Sequence, residues 1–270
     1  MNENDQNIPT NNYRKENIFD KLLRYIVNFL IILFLISMIS SINRSMYTEN
    51  PFRVLLDKKI PHPDKVPGLY NEKKQLFRYT KLYKNYKIYD TFDIRIPKGI
   101  LLTGKPGTGK TYLTKCIAAH ENINIIVVNG ADFSFPLVGQ GKMYLQQLIQ
   151  KAQANAPCII VIDEIDAMGG NREETRGGGG GGGSAATEKQ SIVMLLCTYM
   201  DGVNYIPGVF FIAATNRPDM LDKALLRKGR FDVHIDFTLP NKEERMEIIM
   251  FYIDRKLPFI KKKKKSLNTF

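Results

Sequence analysis

Short, mostly apolar runs alternate with longer helix-like segments through the middle of the chain. The runs with strand character cover residues 99–103, 158–162, 208–214 and 233–237. The candidate helices cover residues 111–120, 142–154, 185–200 and 242–255. Uninterrupted apolar runs are typical of strands buried on both faces of a parallel sheet. Because strands and helices alternate, the pattern predicts an α/β fold in which helices sandwich a parallel sheet.

One further apolar segment lies near the start of the chain. Residues 25–43 carry no charge and lie between Arg24 and Arg44. Their length is close to the minimum for a helix that crosses the hydrocarbon core, so we expect a retained transmembrane helix. A signal peptide or a buried helix of a soluble protein are the alternatives, but the segment is long for the first and apolar all round, which disfavours the second. Lysines and arginines flank both ends, so charge does not set the orientation.

Composition and charge narrow the functional classes. The 270 residues are 44% hydrophobic, which is ample for one α/β domain, and the formal net charge is +12. The lysine block at 261–265 is typical of a solvated tail, although beside a membrane it can attract anionic lipid. We expect no nucleic-acid binding, because no aromatic platform or reading helix accompanies the charge. Cys116, Cys158 and Cys197 lack CxxC spacing and are expected to be buried thiols in a reducing compartment.

A complete phosphate-loop motif lies between the first strand-like run and the first candidate helix. Its residues are Gly104, Lys105, Pro106, Gly107, Thr108, Gly109, Lys110 and Thr111, which fit GxxxxGK[ST]. Glycines in this pattern let backbone N–H groups turn towards phosphate oxygens, and the following helix N-terminus adds partial positive charge. Lys110 can reach the β- and γ-phosphates, and the Thr111 hydroxyl can ligate Mg²⁺. A glycine-rich turn that arose by chance would not match every position of this motif. The motif therefore predicts that the chain binds a nucleoside triphosphate.

Two carboxylates follow the second apolar run. Asp163 and Glu164 come directly after residues 158–162, so we expect them at the sheet edge where ligands of open α/β sheets bind. There Asp163 can hold the Mg²⁺ shell, and Glu164 can polarise a water for in-line attack on the γ-phosphate. Solvated acids at a strand end are the alternative, and the phosphate loop makes it the weaker one. The combination predicts hydrolysis.

Three polar residues further along the chain are less specific candidates. Asn216 follows the 208–214 run and can orient the attacking water, although a turn-forming asparagine is the commoner explanation of such a residue. Arg227 and Arg230 precede the last strand-like run, and isolated arginines are usually solvated. The residues alone leave the roles of all three open.

Taken in order, these motifs resemble the ATPase domain of the AAA+ superfamily, in its FtsH-type membrane-anchored branch. The resemblance is carried by "RIPKGILLTGKPGTGKT", "NAPCIIVIDEIDAMG", "MDGV", "IAATNRPDMLDKALLRKGRFD" and "LPNKEER". It implies ATP and Mg²⁺ as cofactors, Asn216 as a sensor, and Arg227 and Arg230 as fingers that reach the γ-phosphate of a neighbouring subunit. It also implies a homo- or hetero-hexameric ring of FtsH-type subunits, and an adenine-contacting segment at residues 66–68.

The resemblance and the apolar segment together predict five regions. These are a polar, disordered segment at 1–24, a transmembrane helix at 25–43, a linker at 44–65, an AAA+ ATPase core of the P-loop type at 66–240, and a truncated helical lid with a lysine-rich tail at 241–270. The ATPase core must face a compartment that holds ATP: cytosol, mitochondrial matrix or plastid stroma. The seven glycines at 177–183 are expected to form a mobile loop, because such a tract cannot bury apolar surface.

The sequence departs from the FtsH-type pattern in two places. At the family's pore loop, where an aromatic residue grips the substrate, stand Leu137, Val138 and Gly139, which offer less flat contact area. The protease motif HExxH is also missing from these 270 residues, since His120-Glu121 has no second histidine four residues on. Two histidines on one helix face are needed to hold zinc, so we expect no peptidase site in this chain.

The sequence therefore predicts a membrane-anchored AAA+ ATPase that couples ATP hydrolysis to unfolding or remodelling of membrane proteins. Two alternatives stay open. The chain can be a nucleotide-binding structural or regulatory subunit of a mixed FtsH-type ring, or a fragment of a complete ATP-dependent metalloprotease. A P-loop motor that acts on nucleic acid is disfavoured by the membrane segment.

Overall fold

The computed structural model describes residues 18–47, 62–135, 139–168, 183–201 and 206–256. The chain divides into two units, Met1–Pro51 and Phe52–Phe270, and each is considered by itself. Five predicted features lie wholly or partly outside the described residues: segment 1–17, linker residues 48–61, the pore-loop residues Leu137 and Val138, the glycines at 177–182, and the lysine block at 261–265.

The first unit contributes one long helix, α1, Ile18–Tyr47. Its side chains from residue 21 to 38 are all exposed, including Tyr25 at 74% and Phe34 at 68%. Lys21–Met38 is long and apolar enough to cross a membrane, a property that signal sequences and some core helices share. The helix begins earlier than the predicted Tyr25, so residues 18–24 are helical rather than disordered. The reason is that leucine, lysine and arginine favour helices too, and a helix need not end where its apolar stretch ends.

The second unit is built on a five-stranded sheet. Its strands are β1 (Gly99–Gly104), β2 (Asn124–Asn129), β3 (Cys158–Asp163), β4 (Val209–Thr215) and β5 (Phe231–Phe237). They lie in the order β2-β3-β4-β1-β5, and every neighbouring pair is parallel. The parallel sheet predicted from the apolar runs is therefore confirmed. The edge strand β2, "NIIVVN", was not among the predicted strands.

The described residues of this unit also form six α-helices. They are α2 (Tyr70–Lys84), α3 (Tyr86–Thr91), α4 (Lys110–Glu121), α5 (Gln140–Ala154), α6 (Gly183–Met200) and α7 (Lys242–Lys256). The last four lie within two residues of their predicted bounds, whereas α2 and α3 were not predicted. Helix α2 buries Leu76, Thr80 and Tyr83, a spacing that places all three on one face. The Tyr83 ring stacks on Phe210 of β4 at 3.9 Å between ring centroids.

The core lies on both faces of the sheet, because side chains alternate along each strand. On β3, Ile160 and Ile162 belong to the cluster that includes residues of α5 and α6. Ile159 and Val161 belong to the opposite cluster, which includes residues of α2 and α4. Full burial of one such side chain contributes roughly 1.5–3 kcal/mol. The sheet is thereby fixed by apolar packing, and polar side chains are left to its edges.

The three cysteines are buried free thiols, as the sequence predicted. Cys158 begins β3, and its burial raises the pKa of its thiol to about 12. Burial also raises the pKa of Cys116 and of Cys197. These side chains therefore act as small apolar core residues.

Candidate active site

The predicted site residues lie at the carboxyl ends of three neighbouring strands. Strand β1 leads into the loop that starts at Gly104, β3 ends at Asp163, and β4 ends just before Asn216. Because β3, β4 and β1 are adjacent and parallel, these ends share one edge of the sheet. Residues that are far apart in the sequence are thereby brought within hydrogen-bonding distance.

The glycines of the phosphate loop are required for two different reasons. A Cβ on Gly104 would lie 2.3 Å from the carbonyl oxygen of Phe237, so the close approach of β5 excludes any side chain there. Gly107 and Gly109 have φ angles of 79° and 93°, in the region that glycine adopts at little cost. A Cβ on Gly107 would meet nothing within 4 Å, so at that position the requirement is conformational. A loop of this kind can direct N–H groups towards an anion.

Lys110 is the centre of the site. Its side chain is buried, and its Nζ donates to the carbonyl oxygens of Gly104 at 2.8 Å and Lys105 at 3.1 Å. Its third hydrogen bond goes to Oδ1 of Asn216, at 2.7 Å. Burial lowers the pKa of this amine, and the nearby Asp163 carboxylate opposes the shift. Lys110 thus joins the phosphate loop to the end of β4.

A second pair suits a metal ion. The Thr111 hydroxyl donates to Oδ2 of Asp163 at 2.6 Å. Mg²⁺ is usually held by one or two oxygen ligands of the protein together with substrate phosphates. Across the described ranges, no group of three or more His, Cys, Asp and Glu side chains forms an all-protein metal cage. The donor set present fits Mg²⁺ carried on a triphosphate, with Thr111 and Asp163 on the metal side and Lys110 on the phosphate side.

Glu164 directly follows strand β3, and its carboxylate is held by Asn129, which was not among the predicted site residues. Glu164 has a φ angle of 50°, and its Oε2 accepts a hydrogen bond from Nδ2 of Asn129 at 3.0 Å. Asn129 ends β2 and lies in register with Asp163. Its Oδ1 also accepts from the N–H of Ala131 at 2.8 Å, which fixes the amide orientation. The sequence feature that could have pointed to Asn129 is the apolar run of β2, which ends in this asparagine.

Gly130 brings the turn after β2 against the backbone of Glu164. A Cβ on Gly130 would lie 2.3 Å from the carbonyl oxygen of Glu164. Because that atom belongs to the backbone, a side chain here would displace the segment that carries the carboxylate. The position of Glu164 therefore depends on both Asn129 and Gly130.

The ends of β3 and β4 are tied together beside Asn216. The hydroxyl of Thr215 donates to Oδ1 of Asp166 at 2.6 Å and accepts from the N–H of Arg217 at 2.9 Å. Thr215 is buried, so these bonds satisfy a polar group that would otherwise be costly to bury. They set the direction in which Asn216 leaves β4.

The two candidate finger arginines lie in different environments. Arg230 makes a bidentate ion pair with Asp201, at 2.7 Å from its Nε and 2.6 Å from its Nη2, and it also donates to the carbonyl of Ala224. The hydrogen bond from Arg230 lowers the pKa of Asp201. Arg227 is exposed. The structure therefore brings Arg230 to Asp201 and leaves Arg227 exposed on the surface of the chain.

A family comparison agrees with this geometry. The model of the ATPase family associated with various cellular activities (AAA) matches residues 100–239, which are 140 of the 270 residues. The chain belongs to the AAA ATPase family. The matched range contains the phosphate loop, the carboxylates of Asp163 and Glu164, Asn216 and both arginines. Because this is a family of ATPases, ATPase activity is the general function of the domain.

Several curated proteins resemble this AAA ATPase over most of its length. The ATP-dependent zinc metalloprotease FtsH of Acholeplasma laidlawii is 38% identical over 82% of the chain and 33% of the relative. FtsH 2 of Alkaliphilus metalliredigens is 42% identical over 70% of the chain and 27% of the relative. The ATP-dependent zinc metalloprotease YME1 homolog of Caenorhabditis elegans is 37% identical over 78% of the chain and 28% of the relative. The chain thus spans about a third or less of the length of these relatives.

The Asn129 contact can be tested by replacing the amide with a carboxylate. Asn129→Asp keeps the oxygen that caps Ala131 but loses the donor to Glu164 and adds repulsion. We expect kcat for ATP hydrolysis to fall about 10-fold or more, because the variant loses a hydrogen bond to a charged group. KM for ATP should change little.

Asn155→Asp is the matched control for this variant. Asn155 follows α5, and its amide donates to the carbonyl of Lys151, away from the site. Wild-type kcat in Asn129→Asp, or an equal loss in Asn155→Asp, would show that the contact does not position Glu164.

Proposed function

We propose that this chain binds Mg²⁺·ATP at the carboxyl edge of its sheet and hydrolyses it with Glu164 as general base. The observation that supports this proposal most strongly is that the Lys110 ammonium donates hydrogen bonds both to the phosphate loop and to Asn216. Mg²⁺ held at this site would supply positive charge to offset the charge that develops on the phosphate oxygens. Lys110 and the loop N–H groups bind the phosphates, Thr111 and Asp163 hold the metal side, and Asn216 orients the water that Glu164 deprotonates.

Glu164→Gln tests the assigned base directly. The amide keeps the size of the side chain and a hydrogen-bond acceptor for Asn129, but it cannot take a proton. Turnover should fall by about 10²–10⁴-fold, the usual contribution of a general base, while ATP affinity is retained. Phosphate release and equilibrium binding of a fluorescent ATP analogue measure the two effects. Full turnover in Glu164→Gln would remove Glu164 from the mechanism.

The exposed arginine supports a proposal about assembly. AAA ATPases of the FtsH type carry arginine fingers, which act across the interface between neighbouring subunits of a ring. For this chain the proposed ring is a hexamer. Arg227 is exposed, whereas the Arg230 guanidinium is held inside its own subunit by Asp201 and Ala224. We therefore assign the transition-state contact to Arg227, and to Arg230 the task of holding the segment that presents it. A guanidinium supplied in trans stabilises charge on the transferring phosphoryl group.

Subunit mixing tests this assignment. Arg227→Ala and Lys110→Ala should each abolish turnover alone, the first by about 10³-fold or more through loss of the finger. Mixed in equal amounts, they should regain activity, because a Lys110→Ala subunit can lend Arg227 to a neighbour with an intact phosphate loop. Lys228→Ala, beside Arg227, is the control and should retain full activity. A mixture with no more activity than its components would contradict action in trans.

The apolar helix α1 supports a membrane location. We propose that α1 anchors the chain, with the ATPase unit in the cytosol, mitochondrial matrix or plastid stroma, and that hydrolysis drives remodelling of membrane proteins. The similarity to FtsH and YME1 proteins, whose names describe ATP-dependent zinc metalloproteases, supports an ATPase that works with a proteolytic partner or domain. Alkaline extraction of membranes should leave the chain in the pellet. Release into the supernatant would contradict anchoring.

A second candidate function is a nucleotide-binding regulatory subunit of a mixed ring. The leucine at the pore-loop position favours it, because Leu137 offers less contact area to a translocating polypeptide than an aromatic residue does. ATPase activity of the chain alone, compared with activity after addition of a full-length FtsH-type protein, separates the two. Turnover that appears only in the mixture supports the regulatory role.

A further inference from the structure

Three segments that are distant in the sequence meet beside the phosphate loop. Leu69, which precedes α2 with a φ angle of 56°, has its Cδ1 3.5 Å from the position that a Cβ on Gly109 would occupy. On the other side of the same segment, a Cβ on Gly68 would lie 3.2 Å from Cβ of Glu244 in α7. The segment from Val66 to Tyr70, here called the entry segment, therefore lies between the phosphate loop and α7.

One carboxylate fastens the entry segment to α7. Oε2 of Glu247 accepts a hydrogen bond from the N–H of Gly68 at 3.1 Å, and its Oε1 accepts from the hydroxyl of Tyr70 at 2.5 Å. Gly68 and Tyr70 precede Glu247 by 179 and 177 residues, so no local turn explains the contact. Both oxygens of a single side chain are used, and both partners belong to the entry segment.

Helix α2 holds the entry segment from the opposite side. Lys73 donates from Nζ to the carbonyl of Val66, and the same ammonium lies 5.2 Å from the centroid of the Tyr70 ring. Desolvation by burial is the main cause that lowers the pKa of Lys73, and the Glu247 carboxylate opposes it. Val66 is buried in the core. The entry segment is thus fixed at its start by Lys73 and at its end by Glu247.

The contact between Glu247 and Tyr70 needs an ionised carboxylate and a neutral phenol, and both are the forms favoured near neutral pH. The hydrogen bond from Tyr70, followed by that from Gly68, lowers the pKa of Glu247. The same bond, together with desolvation and the carboxylates of α7, raises the pKa of Tyr70. An ionised carboxylate and a neutral phenol therefore support each other.

The position of the entry segment relates it to a bound nucleotide. Lys110, Asp163 and Asn216 mark where the terminal phosphates lie, so the nucleoside end of a bound ATP extends away from them. Leu69 lies beside the loop at Gly109, and its partly buried side chain offers apolar surface there. An apolar wall beside the loop suits a flat base.

We propose that Glu247 is a positioning residue that clasps α7 to the entry segment, so that the wall for the nucleoside is formed before ATP binds. This inference rests on the proposed nucleotide site but concerns only its nucleoside end. A preformed wall raises affinity because less ordering is needed on binding.

The experiment compares two ligands in the full-length chain. ATP uses both the phosphate loop and the entry segment, whereas inorganic tripolyphosphate uses the loop alone. Glu247→Ala should weaken ATP binding by about 3- to 10-fold, the range for an exposed charge-assisted contact, and leave the affinity for tripolyphosphate unchanged. Tyr70→Phe should weaken ATP binding less, and should add nothing when combined with Glu247→Ala. Equilibrium binding with Mg²⁺, measured by calorimetry, gives these affinities without turnover.

Two controls separate this inference from the proposed function. Glu243→Ala changes a neighbouring carboxylate of α7 and should leave both affinities at the wild-type value. Lys110→Ala should weaken both ligands; if wild-type protein binds neither, it is the proposed function that fails. Unchanged ATP affinity in Glu247→Ala, or an equal loss of both ligands, would overturn the clasp.

Discussion

The three hydrogen bonds of the Lys110 ammonium are the interaction on which the rest of the site depends. They connect the start and the second residue of the phosphate loop with Asn216 at the end of β4. A buried ammonium needs acceptors for its protons, and its surroundings here supply one for each of three. The same cation is the group best placed to exchange these oxygens for those of a phosphate. The proposed contact with the phosphates and the hydrogen bonds that a buried charge requires therefore fall to the same side chain.

The sheet makes this arrangement rigid. Strand β1 lies between β4 and β5, and β3 lies between β2 and β4, so every strand that carries a site residue has its ends set by a neighbour. The packing behind these ends is apolar on both faces. Glycines then permit the closest approaches, at Gly104 against Phe237 and at Gly130 against Glu164. Polar groups converge at one edge because the carboxyl ends of the parallel strands all lie there.

The sequence predicted those features whose determinants are local. The loop from Gly104 to Thr111 and the pair Asp163 and Glu164 follow apolar runs directly, so spacing alone placed them at the sheet edge. Asn129 escaped prediction because its role comes from the pairing of β2 with β3, which puts it in register with Asp163. The contact of Tyr70 with Glu247 spans 177 residues and depends on where α2 and α7 pack, which no local pattern records. The finger role proposed for Arg227 involves a neighbouring subunit, so no pattern within one chain encodes it.

The most direct test of the central claim is a structure of the full-length chain with Mg²⁺ and a non-hydrolysable ATP analogue, by electron cryomicroscopy or crystallography. We expect a phosphate oxygen within about 3 Å of the Lys110 ammonium, the ordinary hydrogen-bond distance. Thr111 and Asp163 should hold the metal, and the base should lie against Leu69. A triphosphate bound away from the loop, with Lys110 making no phosphate contact, would contradict the account.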